Sequence, residues 1–180
     1  MPDYDAILDA PPCRLGAIFS GDALTRLDFL PPETPLSGKR DARVSRLADE
    51  LDAYWHDPRH RFDLLCAPAG TPFQSSVWRA LLAIPTGQPT TYGALAKMLG
   101  SAPRAIGQAC GANPLPILIP CHRVLAANGL GGFMHAARGA PLDIKTWLLA
   151  HEASPPPFTS ERGNPPLAGS RGGDCNAQND

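Results

Sequence analysis

One short segment constrains this 180-residue chain more than any other: an apolar run that ends in Pro, Cys and His. Residues 117–119 form the run, Pro120 ends it, and Cys121 and His122 follow directly. A run of this length is short for a helix and fits a buried strand or another buried extended segment. Because Pro120 has no backbone N–H to donate, regular pairing should stop there and leave the thiol at a bend. A thiol near a base and a cation can be held partly as thiolate, the form that attacks carbon or sulfur.

The length of the chain allows a buried core in one domain or two small ones. No stretch approaches the roughly 18 apolar residues of a membrane helix. The acidic N-terminus also lacks the basic-then-apolar order of a secretory signal, so we expect a cytoplasmic protein with no membrane partner. The five cysteines are odd in number, scattered and without zinc-type spacing. Neither a disulfide framework nor a metal site is therefore expected.

The net charge of −1 conceals an uneven distribution of charged residues. Residues 1–65 carry eight Lys or Arg against twelve Asp or Glu, whereas residues 66–152 carry six against two. A positive segment with few acids can accept a polyanion such as nucleic acid, although these cations are few for that purpose. An ordinary solvated surface explains the same distribution.

The first half of the chain has the pattern of a small sheet with a helix. Residues 13–30 predict a hairpin with its turn at 20–22, because two apolar runs flank Ser, Gly and Asp. Apolar residues at helical spacing predict a helix over 43–55. A short strand around 62–65 would add to the hairpin, and this unit ends near residue 68.

The second half of the chain predicts mainly helices. Thr71 is the expected N-cap of the first helix, with Pro at its first position. Thr91 caps a second helix that ends at Gly100, and a third helix begins at Pro103. Two short helices joined by a turn that contains Gly form a helix-turn-helix candidate, a corner that many helical domains also contain. Beyond these helices, residues 153–180 are rich in Pro and Gly and predict a disordered tail.

Two titratable side chains could assist a reactive thiol at Cys121. His122 could take the thiol proton through a bridging water, because general-base catalysis allows that geometry. Glu152 could orient the imidazole, although a surface carboxylate at the end of a helix fits the sequence equally well.

Three further residues could contact a substrate or shape the site. Arg104 lies among small residues in the first turn of the third helix, which suits insertion into a groove but also plain helix packing. Asn113 could tie its turn to the loop of Cys121, and Tyr92 could donate to a base or a phosphate. A simple turn and simple packing explain these two residues as well.

Taken together, these segments resemble the O6-alkylguanine-DNA alkyltransferase family, also called methylated-DNA–protein-cysteine methyltransferases. The matching stretches are residues 70–74, 91–96, 104–107, 113–124 and 147–152. The Asn-Pro run that ends in PCHRV is the most specific of them, and the resemblance extends over residues 1–69 only in outline. The fold it implies is α+β: an N-terminal β-sheet and helix domain over 1–68, RNase H-like in outline, and a mostly helical DNA-binding and catalytic domain with a helix-turn-helix over 69–152. The disordered tail over 153–180 follows them.

The resemblance implies direct-reversal DNA repair by a suicide methyltransferase. Cys121 would take the alkyl group from O6-alkylguanine, with O4-alkylthymine as a second candidate substrate, once per molecule and without cofactor or metal. His122, a water and Glu152 would remove the thiol proton. Asn113 would brace the turn over the active site, and Lys145 would lie near the reactive sulfur.

On the DNA side, the resemblance assigns roles to residues in the helical half. Tyr92 would contact the flipped base and assist rotation of a phosphate, and Arg104 would replace the extruded nucleotide in the stack. Where the family offers a Tyr-Ser pair to the base, this chain has Met134 and His135, in a longer loop over 131–140. The partner would be double-stranded DNA containing alkylated guanine, and we expect a monomer. The competing hypotheses are a helix-turn-helix protein that binds DNA or senses damage without transfer, and a cysteine hydrolase.

Overall fold

The structure, a computed structural model, describes residues 2–38 and 41–153 and has the predicted α+β architecture. One antiparallel sheet has the strand order β3-β2-β1-β4, formed by β1 (Ala6–Ala10), β2 (Cys13–Ser20), β3 (Ala23–Leu30) and β4 (Ser37–Gly38). The helices are α1 (Ala42–His56), α2 (Pro72–Leu82), α3 (Tyr92–Met98), α4 (Pro103–Gly111) and α5 (Ala140–Ala153). A short parallel pairing joins β5 (Thr90–Thr91) to β6 (Val124–Leu125). Apart from Ala153, the tail predicted over 153–180 lies outside the described residues.

The sheet confirms the predicted hairpin but not the strand that was expected to extend it. Strands β2 and β3 pair from Arg14↔Leu30 to Ser20↔Ala23. The strand predicted around 62–65 is wrong, because this segment makes only an isolated bridge between Leu24 and Cys66. Phe62 and Leu64 pack against the core, whereas Leu65 is 67% exposed. The strand that does extend the hairpin is β1, on the other side of β2.

Helix α1 packs one apolar face against the core, as its sequence spacing predicts. Asp41 caps it by accepting hydrogen bonds from the N–H groups of Arg43 and Val44. The buried residues of the helix are Val44, Leu47, Leu51 and Tyr54. Since Tyr54 lies in the last turn, its side chain is carried toward the helical half of the molecule.

The predicted caps of the next two helices are confirmed. Thr71 and Gln74 form a capping box, in which the Gln74 N–H donates to Thr71 Oγ1 at 3.2 Å and the Thr71 N–H donates to Gln74 Oε1 at 2.8 Å. Thr91 Oγ1 accepts from the Ala94 N–H at 3.1 Å, which fixes the start of α3 at Tyr92. Gly100, with a φ of 61°, follows the end of α3, where a left-handed residue costs least as glycine.

The apolar run before the cysteine is buried, as expected, but it is a turn rather than an extended segment. Ile117 has a φ of 74°, and the Ile119 N–H donates to the Leu115 carbonyl at 2.8 Å. Prolines at 114, 116 and 120 lack the N–H that a strand would donate, so regular pairing cannot form here. A 3₁₀ turn over Cys121–Arg123 follows directly.

One contiguous core includes buried residues from both halves of the chain. The ring centroids of Phe29 in β3 and Phe133 lie 5.9 Å apart. The Leu27 N–H donates to the Pro114 carbonyl at 2.8 Å, which attaches the sheet to the turn before the cysteine. These contacts cross the predicted boundary at residue 68, so the sheet packs against the turn and the loop on either side of Cys121.

Candidate active site

Cys121 lies at the start of the 3₁₀ turn and is only 4% exposed. The Asn113 amide donates one hydrogen bond to its Sγ at 3.2 Å and another to the Ile119 carbonyl at 2.8 Å. Asn113 Oδ1 in turn accepts from the Leu115 N–H at 3.0 Å. The structure therefore brings Asn113 and Cys121 together, with the asparagine joining its own turn to the thiol.

The thiol of Cys121 is neutral in this environment. Burial raises its pKa, and the hydrogen bond from Asn113 and the positive charge of Lys145 oppose the rise without reversing it. The partial thiolate expected from a neighbouring base and cation is thus not the resting form. A proton acceptor must act when the thiol reacts, because the thiolate is the attacking species.

His122, the next residue in the chain, is fully buried. Burial lowers the pKa of His122, while its hydrogen bond to Glu152 opposes the shift. Nε2 of His122 lies 2.8 Å from Glu152 Oε1, so Nε2 carries the hydrogen and donates it to the carboxylate. Nδ1 is buried and has no hydrogen-bond partner among the described residues. Its lone pair is therefore available for a proton.

Glu152 is held as a carboxylate by several donors, two of which the sequence did not suggest. Arg123 donates from Nε to Oε2 and from Nη2 to Oε1, both at 2.8 Å. The hydroxyl of Tyr54 donates to Oε1 at 2.9 Å. Burial alone raises the pKa of Glu152, but the hydrogen bonds from His122 and Arg123 outweigh it and lower the pKa to about 2. Arg123 belongs to the PCHRV motif, so its position was a usable signal, whereas Tyr54 lies 98 residues from Glu152 and gave none.

Lys145 is fully buried and organises the loop that follows the 3₁₀ turn. Its Nζ donates to the carbonyls of Val124 and Leu130 at 2.7 Å and of Gly132 at 3.0 Å. The Tyr92 hydroxyl also donates to the Gly132 carbonyl, at 3.0 Å. Burial lowers the pKa of Lys145 to about 8. The lysine is near enough to stabilise a thiolate at Cys121 electrostatically, and it holds the loop through backbone atoms.

A cavity of about 590 Å³ opens in front of Cys121. Five residues predicted for the site line it: Tyr92, Arg104, Cys121, Met134 and His135. The other four predicted residues, Asn113, His122, Lys145 and Glu152, are not among the residues lining the cavity and form the hydrogen-bond networks around the cysteine.

The rim of this cavity is built from α4 and the loop of β6. Arg104 is exposed in the first turn of α4 and makes no hydrogen bond or ion pair within residues 2–38 and 41–153. Met134 and His135 both have positive φ values, 50° and 59°, and line the cavity together with residues of α4. The His135 ring lies against Gly111 at the end of α4, where a Cβ would be 2.5 Å from the ring and would displace it.

Neither a membrane helix nor a metal cluster is present in the described part of the chain. No described helix is both long and apolar enough to cross a membrane. Among the same residues, no group of three or more His, Cys, Asp or Glu side chains is placed to hold a metal ion.

Comparisons with known proteins place these features in a family. The model of the "6-O-methylguanine DNA methyltransferase, DNA binding domain" family matches residues 72–154. A methylated-DNA–protein-cysteine methyltransferase of Methanosarcina acetivorans is 47% identical over 162 residues, which cover 84% of this chain and 99% of that protein. The crystal structure of the Mycobacterium tuberculosis O6-methylguanine methyltransferase is 34% identical, with a TM-score of 0.66 and coverage of 82% of this chain and 90% of that one. That of the Mycobacterium tuberculosis OGT in complex with DNA is 35% identical, with a TM-score of 0.67 and coverage of 82% and 91%.

The α+β fold, the buried cysteine and these similarities define a DNA-repair methyltransferase. More narrowly, the chain belongs to the family of methylated-DNA–protein-cysteine methyltransferases, because it is 47% identical to a member of that family and matches 99% of that member's length.

Proposed function

We propose that this protein restores O6-alkylated guanine in double-stranded DNA by moving the alkyl group to Cys121. Sγ attacks the alkyl carbon as the bond between that carbon and O6 breaks, the electron pair of the broken bond remains on the guanine, and the guanine anion then takes up one proton from solvent. The observation that carries this proposal is the position of Cys121 on the wall of an open cavity, with its sulfur held by Asn113. A volume of about 590 Å³ lies in the range of small-molecule sites and accommodates a single nucleobase.

The proton of the thiol goes to Nδ1 of His122, directly or through one water. Two observations support this step: Nδ1 is buried without a partner among the described residues, and Nε2 is committed to Glu152. The charge that develops on the imidazole is stabilised by the carboxylate. Because a thioether is a poor leaving group, the alkylated Cys121 is not regenerated, and each molecule acts once.

Access to a base in a duplex requires that the nucleotide leaves the stack, at a cost of a few kcal/mol. In our proposal Arg104 fills the vacated position, since it is exposed at the rim of the cavity and has no partner within the described residues. The helices α3 and α4, joined by residues 99–102, act as a helix-turn-helix that presents Arg104 to DNA. Tyr92 contacts the flipped base through its ring, because its hydroxyl donates to Gly132.

Several finer features belong to the same proposal. Met134 and His135 form the cavity wall that meets the alkylated base, and O4-alkylthymine is a second candidate substrate. The protein acts as a monomer, since one chain supplies the thiol, the proton acceptor and the rim of the cavity. The sheet domain (1–68), RNase H-like in outline, supports the catalytic domain (69–152) rather than contacting the lesion.

The decisive test is mass spectrometry of the protein after incubation with duplex DNA that contains O6-methylguanine. We expect one CH₂ unit of added mass, located on Cys121, and no adduct in Cys121→Ser. Cys66→Ser is the matched control, because Cys66 is exposed and lies outside the cavity, and it should be alkylated at Cys121 like the unmodified protein.

The other outcomes identify the competing functions. Full binding of the damaged DNA without any adduct would contradict the proposal and indicate a damage sensor. An adduct on another residue would refute the role of Cys121. Turnover of any substrate beyond one equivalent of protein would instead indicate a cysteine hydrolase.

A further inference from the structure

The hydroxyl of Tyr54 is a buried polar group for which the mechanism above has no use. Tyr54 lies in the last turn of α1 and is 1% exposed. Its Oη donates to Glu152 Oε1 at 2.9 Å, and the same oxygen accepts from His122 Nε2 at 2.8 Å. Through this hydroxyl the sheet-and-helix half of the chain joins the hydrogen bonds around Glu152 and His122.

The ring of Tyr54 is held independently of this hydroxyl. Its centroid lies 4.9 Å from that of Trp55, 5.5 Å from that of Phe62 and 5.2 Å from that of His151. The backbone carbonyl of Tyr54 also lies 3.0 Å from His151 Nε2. Because packing alone fixes the ring, the hydroxyl is not needed to position it.

The protonation state of this hydroxyl does not change in the physiological range. Burial raises the pKa of Tyr54, and the negative charge of Glu152 raises it further. The phenol therefore remains protonated, and a hydrogen-bond donor, throughout the physiological range. The hydrogen bond that it donates to Glu152 is therefore present throughout that range.

We infer that Tyr54 is a positioning residue that sets the basicity of His122 by donating a hydrogen bond to Glu152 Oε1. The inference rests on the proposed function, since it takes His122 as the acceptor of the thiol proton. A donor on Oε1 withdraws electron density from the oxygen that faces His122 Nε2, so the carboxylate stabilises the imidazolium less strongly. The imidazole consequently remains neutral, and ready to accept a proton, at lower pH.

The positive charges around the imidazole act in the same direction as the hydrogen bond from Tyr54, and Arg123 Nη2 donates to the same Oε1 at 2.8 Å, so Tyr54 adds to their effect. The titratable and charged groups that face it are Glu152 and Lys145 from α5, Arg123 and Cys121 from its own turn, and Tyr54 from α1 through Glu152. Arg123 and Lys145 both disfavour the imidazolium through their positive charge. Tyr54 is the neutral donor in this set, so removing its hydroxyl changes hydrogen bonding without changing the net charge.

The test is the pH dependence of the single-turnover rate constant for transfer from O6-methylguanine in duplex DNA. In Tyr54→Phe the acidic limb should move to higher pH by about half a unit, which makes transfer about threefold slower on that limb, while the plateau at higher pH stays unchanged. The matched control is Tyr4→Phe, which removes another tyrosine-to-carboxylate bond, from Tyr4 Oη to Asp28 at 3.0 Å in the sheet, and should leave the profile unchanged.

A fluorinated tyrosine at position 54 provides a second measurement that does not remove the bond. Fluorine beside the hydroxyl makes it a stronger donor, so the acidic limb should move to lower pH, opposite to Tyr54→Phe. If Tyr54→Phe proves too unstable to assay, the fluorinated variant alone tests the inference.

Two results would overturn the inference. One is an acidic limb that neither variant moves, and the other is a loss of rate that is equal at all pH values, which a purely structural role would produce. Failure of the proposed function would be seen in a different measurement, because the unmodified protein itself would then form no adduct on Cys121.

Discussion

Cys121 and His122 are neighbours in the sequence, yet different partners hold their side chains. Asn113 binds the sulfur, whereas Glu152 binds the imidazole through Nε2, on the side away from Nδ1, which has no partner among the described residues. Burial favours the neutral form of both groups. The pair is therefore uncharged until an electrophile arrives, which protects a once-only thiol from unrelated reactions.

Arg104 is the residue whose proposed role is easiest to separate from the chemistry. Arg104→Ala should slow repair of duplex DNA by about tenfold, equivalent to about 1.4 kcal/mol of the cost of extruding the base. Reaction with free O6-benzylguanine should be nearly unchanged, because no base has to leave a stack. Single-turnover rates on the two substrates provide the measurement.

Arg79→Ala is the matched control for this comparison. Arg79 is an exposed cation of the same positive segment, but it lies on α2 and does not line the cavity. Arg79→Ala should change the single-turnover rates on both substrates little. Equal losses on duplex DNA and on the free base in Arg104→Ala would refute its insertion into the stack.

At the scale of secondary structure, the loop after β6 contains isolated bridges but no regular strand pair, and Lys145 makes more side-chain hydrogen bonds to its backbone than Tyr92 does. An ammonium group has three hydrogens, and Lys145 uses them on the carbonyls of Val124, Leu130 and Gly132. This loop leads directly to Met134 and His135 on the cavity wall. The shape of the cavity therefore depends on Lys145.

Replacing Lys145 should loosen this loop without unfolding the sheet. In Lys145→Met the amides of residues 126–133 should exchange hydrogen about tenfold faster at pH 7, because local opening becomes easier by about 1.4 kcal/mol. Amides of β1, β2 and β3 should exchange at their original rates, as measured by hydrogen–deuterium exchange with mass spectrometry. Lys97→Met, at an exposed lysine of α3, is the control and should leave the loop unchanged. Unaltered exchange over 126–133 in Lys145→Met would contradict this role.

The elements that sequence reasoning predicts correctly are those specified by local chemistry. Hydrophobic spacing located α1, and threonine caps with Pro or Gly located α2 and α3. The segment around 62–65 has apolar residues at strand-like positions, but its pairing and exposure are decided by tertiary packing, so the sequence predicts a strand that does not form. Likewise β1 was missed because its pairing with β2 is not a local property of its own five residues.

The residues of the candidate site also fall into two groups: those that local motifs indicate and those that only folding brings together. Cys121, His122, Asn113 and Glu152 lie in or near motifs and could be proposed from sequence. The bonds that connect them to Tyr54 and Arg123 span 98 and 29 residues to Glu152, so only the folded chain reveals them.

At the scale of the whole molecule, the buried ion pair of Glu152 with Arg123 links stability to pH. The pKa of Glu152 is about 2 in the folded chain and about 4.5 in its ordinary range, so the unfolded chain binds this proton first as the pH falls. His122 acts in the same direction, because its pKa in the folded chain lies below its ordinary value of 6.5. The free energy of unfolding should therefore decrease from about pH 6.5 downward and continue to fall from about pH 4.5 toward 2.

Urea denaturation of Glu152→Gln at several pH values tests this linkage. The variant should be less stable at pH 7 by about 3 kcal/mol, since Arg123 loses its buried partner. Its stability should also decline less steeply with acid. Asp143→Asn, at an exposed acid of the same helix, should retain the original slope. A Glu152→Gln variant with the same acid dependence as the unmodified protein would show that Glu152 is not the group responsible.

The lysine that orders the cavity loop also has an evolutionary consequence. Lys145 binds carbonyl oxygens, and every amino acid supplies the same carbonyl. The side chain at 130, which is exposed, can therefore be exchanged without losing the hydrogen bond from the ammonium group. We expect the neighbouring loop to change quickly between relatives, and with it the range of lesions they accept, while a single lysine on α5 stays constant.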